Sequence, residues 1–402
     1  MQQRERSPVS LSLLGVPALA LALAITTVSV LVPLTLRGLG ASSFLIGVVV
    51  AGEGLIALLL PLWVGPLSDR TRTALGGRLP YVILGASFAA PALAGLPFAA
   101  SILAIAALML VFYVGYFIYY PAYRALYPDV VPRHQFGRSQ GTQTLFREIG
   151  MALSLTASPL LFAFWPPLPF MLAAIVLVLV SAVFVRKLAK HAANPAPGQP
   201  TAGEVKPRRW PSARARRVLL ANALWEFSLS GLKSFVVLYV VVGTGRSPAV
   251  ASGLMAIVAV VAILAAPIAG RLGDRFGVVR VVRVALGIYA IGLLLPCFTQ
   301  SLSVLLPAMP LVGFGGAVVM TLPYALLSES VGEQGHGTSA GWYEFSRGLG
   351  VSVGPVVTGA AIDTLEPLFR STHGYAAMWL VQAAALLLSL PLLPSRSAES
   401  TA

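Results

Sequence analysis

GRSQGTQTLFREIG (Gly137–Gly150) and GTSAGWYEFSRGLG (Gly337–Gly350) lie 200 residues apart in one chain. Gly137, Ser139, Gly141, Arg147 and Gly150 return at that offset as Gly337, Ser339, Gly341, Arg347 and Gly350, and Asp129 returns as Glu329. Upstream in each copy, GPLSDR (Gly65–Arg70) is answered by GRLGDR (Gly270–Arg275), here 205 residues apart. Two motifs repeated in the same order identify an internal duplication.

The material between the repeats decides the environment. Only 10% of the 402 residues are charged, against about 25% in a soluble domain. Hydrophobic residues make up 57% of the chain. No water-soluble fold of this length hides that much apolar surface, so a soluble enzyme is excluded. A membrane-crossing helix needs about 20 mostly apolar residues. Apolar runs bounded by turn and charge signals predict twelve spans: 11–36, 43–66, 80–99, 101–127, 138–163, 168–187, 217–243, 247–270, 280–299, 302–328, 338–362 and 374–394. The break near Ala99 is the one on which the orientation of everything downstream depends. Arg4 to Leu36 has the look of a signal peptide, but the apolar runs that follow it favour a retained first helix. The expected fold class is an all-α polytopic membrane protein, twelve transmembrane helices in two six-helix pseudo-symmetric halves.

Basic residues set the orientation. With the N-terminus inside, external loops hold Arg37, Arg246 and Arg370, the spans hold Arg124, Arg147, Lys233 and Arg347, and the remaining 21 of 28 are cytoplasmic. Both termini are therefore expected in the cytoplasm, in a plasma or bacterial inner membrane. This asymmetry accounts for the net charge of +14 without any nucleic acid. The expected division is a six-helix half at 1–188, a cytoplasmic linker at 189–216 and a second half at 217–402. The basic run Arg208, Arg209, Arg214, Arg216 and Arg217 at the end of the linker is a topology determinant that can also hold anionic membrane lipids.

Cys297 is the single cysteine, and His134, His191, His336 and His373 are scattered without metal-ligand spacing. No nucleophile–base constellation and no phosphate loop is visible, so neither an enzyme, a cofactor, a metal site nor ATP-driven pumping is expected. Two six-helix halves make a complete unit, and a monomer is expected. Internal duplication of this kind is the architecture of many secondary transporters, with the substrate site near the midplane.

GPLSDRTRTALGGR between the second and third spans resembles the loop signature of the major facilitator superfamily, and AGRLGDRFGVVR resembles its second copy. Asp69 to Tyr81 and PAYRALYPD (Pro121–Asp129) are most similar to the glycoside–pentoside–hexuronide cation symporters and sucrose-type carriers. That resemblance implies alternating access, with Asp69 approaching the start of the eleventh span when the cytoplasmic gate shuts. A helix start offers unpaired N–H groups and a positive dipole end to such an acid. Gly65 would let the helices meet closely. The repeat implies a twin contact from Asp274 to the start of the fifth span near Arg138 and Ser139. Arg70 and Arg275 are the accompanying gate candidates, with Gly270 the second small residue. Such carriers place several acids in the first, second and fourth spans. Here Glu53 alone stands in those spans, which points to a proton rather than sodium as the coupling ion.

Ionisable groups at membrane depth need partners and usually a function. Arg147, Glu148, Glu344 and Arg347 form a candidate buried charge network. Glu344 and Arg347, three apart, share a helix face and can pair; Glu148 points about 100° from Arg147, so one of those two needs a partner on another helix. Asn222, Glu226, Ser230 and Lys233 form a polar stripe on the seventh span, and Lys233, two turns from Glu226, lies too far for a close pair. The superfamily resemblance puts this stripe in the transport path. Tyr113, Tyr116, Tyr120 and Tyr123 recur at helical spacing on the fourth span and end in Arg124. Tyrosine offers an apolar face and a hydroxyl, which suits a sugar ring or an aromatic drug; packing explains such a stripe equally well. Asn222, Glu226, Lys233, Tyr116 and Tyr120 are the cavity candidates. Glu53 has no same-helix cation and is the candidate for the coupling proton. The expectation is a secondary transporter of a small polar solute, sugar- or glycoside-like. The rivals are a drug or metabolite efflux antiporter and a non-transporting assembly or sensor protein on the same scaffold.

Overall fold

A computed structural model describes residues 10–71, 73, 75, 77–131, 136–192, 212–322, 326 and 336–393. Twelve helices follow in chain order: α1 (Leu11–Gly38), α2 (Ser43–Arg70), α3 (Leu79–Gly95), α4 (Ile102–Val130), α5 (Phe136–Phe164), α6 (Leu168–Ala192), α7 (Ala213–Leu238), α8 (Pro248–Phe276), α9 (Val278–Phe298), α10 (Leu302–Thr321), α11 (His336–Thr364) and α12 (Ala377–Ser389). The break at Ala99 is real: a 3-10 turn over Leu96–Phe98 ends α3, and α4 begins at Ile102. Ten of these helices are long and apolar enough to cross a membrane. The exceptions have separate causes. α11 carries Glu344, Arg347 and Asp363, and the apolar stretch of α12 is short, Ala377–Leu392. Residues 193–211, the heart of the predicted linker, lie outside the described residues.

α1 is the most buried span and packs on α5, α6 and α7. Its partnership with α5 explains part of the internal repeat. A Cβ at Gly150 would strike the backbone carbonyl of Leu19, and a Cβ at Gly350 would strike that of Ala223 on α7. The two repeated glycines thus press α5 onto α1 and α11 onto α7 through backbone contact, as small residues do inside membranes. Alanine at either position is expected to cost about 1–3 kcal/mol by overpacking, read as a lower thermal midpoint in detergent. Gly141 faces open space, so Gly141→Ala is the control. It removes only the glycine penalty of a helix interior, about 1 kcal/mol, and should raise the midpoint.

α11 has a second face, packed on α2. Gly47 lies against the backbone of Pro355, Gly54 against Ser352 and Gly348, and Gly359 against Ser43. Asp363 completes this seam. Its carboxylate accepts hydrogen bonds from the backbone N–H groups of Ser43 (3.0 Å) and Phe44 (2.8 Å). The Ser42 hydroxyl accepts the next one, from Leu45 (3.2 Å). The first three N–H groups of α2, orphaned by the helix start, are all satisfied, two of them by a side chain 320 positions away. α1–α7 and α5–α8 are the other main contacts between the first six helices and the last six.

The opposite end of the bundle, where the repeated loop motifs lie, differs from the expectation of close approach. Gly65 and Gly270 have nothing within 4 Å of a Cβ position. Asp274 is exposed and makes no hydrogen bond or ion pair among the described residues, so its twin contact near Ser139 is not formed. Arg275 lies over the ring of its neighbour Phe276 (5.1 Å) rather than on a partner helix. The side chains of Asp69 and Arg70, like those of Asp129 and Glu329, lie outside the described residues. The halves meet tightly at the Ser43 end, and the described part of the gate motif makes no comparable contact.

Candidate functional site

Charged groups from α4, α7 and α11 form a chain that runs from about halfway along the bundle, at Glu226, toward the end of the α4 span, at Arg124. Arg347, about 16 Å from the start of α11, stands at the centre. Its Nε lies 3.6 Å from Glu226 on α7, and its terminal nitrogen 3.3 Å from Glu344, one turn back on its own helix. The other oxygen of Glu344 lies 3.9 Å from Arg124 on α4. Arg124 in turn sits over the ring of Tyr120, 5.6 Å from its centroid. Tyr120 stacks on Tyr116, with centroids 5.7 Å apart and planes 18° from parallel. A continuous chain, Glu226–Arg347–Glu344–Arg124–Tyr120–Tyr116, therefore crosses from the last six helices to the first six. Arg347, Arg124 and Glu344 are 32%, 47% and 48% exposed. Charged groups that open at this depth line a gap between the halves rather than a sealed core.

Two pairings depart from the sequence-based expectation. Arg147 does pair with Glu148, its immediate neighbour, at 2.7 Å. The long arginine side chain folds back across the 100° between adjacent helical positions, and no partner from another helix is needed. Glu226, expected to lack a close cation, has Arg347. Helical periodicity compares residues of one helix only, and this cation comes from the neighbouring one.

The α7 stripe also resolves differently. Asn222 donates to the Ser346 hydroxyl at 2.8 Å, and the Ser230 hydroxyl lies 3.3 Å from the carbonyl of Gly350. With Glu226 on Arg347, three of the four stripe residues form the polar seam that registers α7 on α11. Asn222, only 2% exposed and already bonded, is thereby withdrawn from the cavity. Lys233 is half-buried and has no ion pair among the described residues. The tyrosine stripe divides as well. Tyr123 is buried and donates to the carbonyl of Leu14, and Tyr113 reaches the carbonyl of Val50 (3.5 Å). Tyr116 and Tyr120 alone keep partial exposure.

Glu53 borders the same gap. On α2 its neighbour Gly52 faces the Tyr113 ring, which a Cβ there would meet at 3.7 Å, and Gly54 meets α11. Glu53 is half-buried and makes no ion pair among the described residues. Among the described residues, Glu53 and Lys233 are thus charged groups of the central spans that stand without an ion pair. Arg124 and Asp363 are residues whose importance the sequence reading missed. Arg124 was signalled by its place at the end of the tyrosine stripe, one helical turn beyond Tyr120. Asp363, a lone acid beside Gly359 at the end of an otherwise apolar run, was a weaker signal.

Twelve helices, an internal duplication and a partly exposed charge chain joining the halves are the features of a polytopic carrier. The chain belongs to the Major Facilitator Superfamily, whose model matches residues 16–256 and 227–401; it is a multi-pass membrane protein of the transporter class and not an enzyme. No functionally curated protein sequence matches it. Among solved structures, it is similar to a bacterial homologue of the human lysosomal transporter Spinster in an inward-facing, occupied conformation. That likeness has a TM-score of 0.74 at 14% identity, covering 96% of this chain and 98% of that one. The nucleoside transporter NupG gives 0.75 at 15% identity, over 94% and 96% of the two chains. The peptide transporter POT, solved with alafosfalin, gives 0.70 at 14% identity, over 98% and 97%. At these identities the likeness concerns the fold.

Proposed function

We propose that this protein is a secondary active transporter that moves a small polar solute, sugar- or glycoside-like, by alternating access coupled to a proton. The observation that carries this reading is the Glu226–Arg347–Glu344–Arg124 chain, which is contributed by both halves and open to the gap between them. Its guanidinium and carboxylate groups offer donors and acceptors to hydroxyls, and the stacked Tyr116–Tyr120 pair offers a flat apolar face. A drug antiporter would be served by a wide apolar cavity, and this one is charged. A non-transporting scaffold has no use for a partly exposed ion-pair chain at this depth. With both termini cytoplasmic in this proposal, the Ser43 end, held shut by α2 and α11, faces outside. Residues 1–188 and 217–402 then rock against each other around the solute, joined by the linker at 189–216.

A thermal-shift screen of the purified protein against glycosides and hydrophobic cations tests the solute class. Ligand at 100 times its dissociation constant stabilises by about 2.7 kcal/mol, and a shift with cations alone would transfer the site to the rival reading. Glu53 is the proton carrier in this proposal, because it is the acid of the cluster without a cation. Glu53→Gln mimics its protonated form. In proteoliposomes that variant should lose pH-driven uphill uptake and keep equilibrium counterflow. Wild-type uphill uptake would move the coupling proton to Lys233, and loss of counterflow would place Glu53 in the solute site.

A further inference from the structure

We propose that the groove between α3 and α6 binds one anionic phospholipid, an acyl chain lying in the groove and the phosphate on Arg186. The groove has a volume of about 700 Å³, well inside the range of about 300–1,000 Å³ of small-molecule sites. It runs from Ile83 and Arg186 at one end to Ala94 and Ala174 at the other. From Ala174 to Arg186 the helix rises about 18 Å, slightly more than half of a hydrocarbon core of about 30 Å. The groove is therefore about as long as one leaflet is thick, with Arg186 near the end of the span.

Its walls offer apolar surface. Ser87 and Ser181 are the polar uncharged residues of the lining, and both are already engaged. The Ser87 hydroxyl donates to the carbonyl of Ile83 (2.9 Å). Ser181 donates to the carbonyl of Leu177 (2.6 Å) and lies 3.1 Å from the Tyr119 hydroxyl. The one charged lining residue, Arg186, stands at the end of the groove. It is exposed and has no ion pair or hydrogen bond among the described residues, and Lys187 adjoins it.

An apolar chain about one leaflet long with a negative charge at its outer end is the chemistry of an anionic phospholipid. A transmembrane helix of a partner would need a groove running the whole span, and this one stops six residues short of the start of α6 at Leu168. On the proposed topology the basic end lies in the cytoplasmic leaflet, where anionic lipids meet basic side chains favourably.

Native mass spectrometry of the full chain, released from nanodiscs of phosphatidylglycerol or of phosphatidylcholine, tests the site. The wild type should retain one phosphatidylglycerol and little phosphatidylcholine. Arg186→Gln, a surface change that leaves the packing alone, should lower phosphatidylglycerol retention about fivefold. Ala90→Phe, which fills the groove, should remove the bound lipid. Equal retention of the two lipids by the wild type would overturn the proposal. So would wild-type phosphatidylglycerol retention by Arg186→Gln. Crosslinking of Val178→Cys to a second copy of the chain would also overturn it, by giving the groove to a protein partner.

Discussion

Arg347→Gln is expected to abolish solute counterflow while leaving the protein folded. Arg347 is the cation shared by Glu226 at 3.6 Å and Glu344 at 3.3 Å. Without it, two carboxylates on adjoining helices face each other, and the chain of contacts from α7 to α4 is cut. Breaking a fully buried pair costs about 3–5 kcal/mol because a charge is stranded. Here the guanidinium is 32% exposed and Glu344 48%, so water screens the loss and the effect on folding is smaller. Transport is the sensitive readout. A deficit of 2 kcal/mol or more in arranging the solute site corresponds to about a thirtyfold loss or greater. Arg347→Lys should fall between, since an ammonium on a flexible stem satisfies one carboxylate at a time where the planar fork serves both. The check is counterflow of the solute identified by thermal shift, beside the melting midpoint of each variant. Wild-type counterflow by Arg347→Gln would end the assignment of this cluster to transport.

Asp363→Ala is expected to unlatch the Ser43 end. The carboxylate holds two N–H groups of α2 and faces the positive end of that helix. Discounted for the exposure of Asp363, the two bonds together are worth about 2 kcal/mol, or about thirtyfold in the population of the sealed state. Asp363→Asn keeps an acceptor oxygen and loses the charge, so it should fall between. Ser352, 9% exposed beneath the seam, is the reporter position. Ser352→Cys in a Cys297→Ala background should resist an impermeant maleimide added outside cells, and react much faster once Asp363 is replaced. Equal labelling rates with and without Asp363 would show that the glycine contacts close this end unaided. Labelling from the cytoplasmic face alone would invert the proposed orientation.

Much of the fold was legible because a bilayer demands long apolar runs, and those runs can be counted. The twelve spans, the short break at Ala99 and the duplication all follow from local composition or from self-comparison. Gly150 and Gly350 show why the repeat could be seen at all: each meets a backbone carbonyl that leaves no space for a methyl group, so the same residue is required twice. The candidate site was legible as a set of residue types and much less as a set of pairs. Glu226 with Arg347, Asn222 with Ser346 and Asp363 with the start of α2 all join different helices. Such contacts are fixed by how helices register in the bundle, and that is a property of packing surfaces rather than of spacing along one helix. The loop motif was legible for a further reason, its likeness to a known signature, yet its glycines Gly65 and Gly270 are unoccupied in this arrangement. A signature describes every state of a cycle, and a structure holds one of them.

Pro355 lies inside α11, eight positions beyond Arg347 and eight before Asp363. A proline in a helix interior removes a backbone hydrogen bond and weakens the rod at that point. Its own carbonyl rests on Gly47, which gives the weak point a fixed support. α11 is thus a two-armed lever with its fulcrum on α2, each arm about 12 Å long. A bend of about 10° at the fulcrum swings the far end through about 2 Å, enough to carry a hydrogen bond of 2.8 Å beyond its working range. The weak point thus lies midway between the guanidinium at one tip and the carboxylate at the other, and a bend there would displace one against the other.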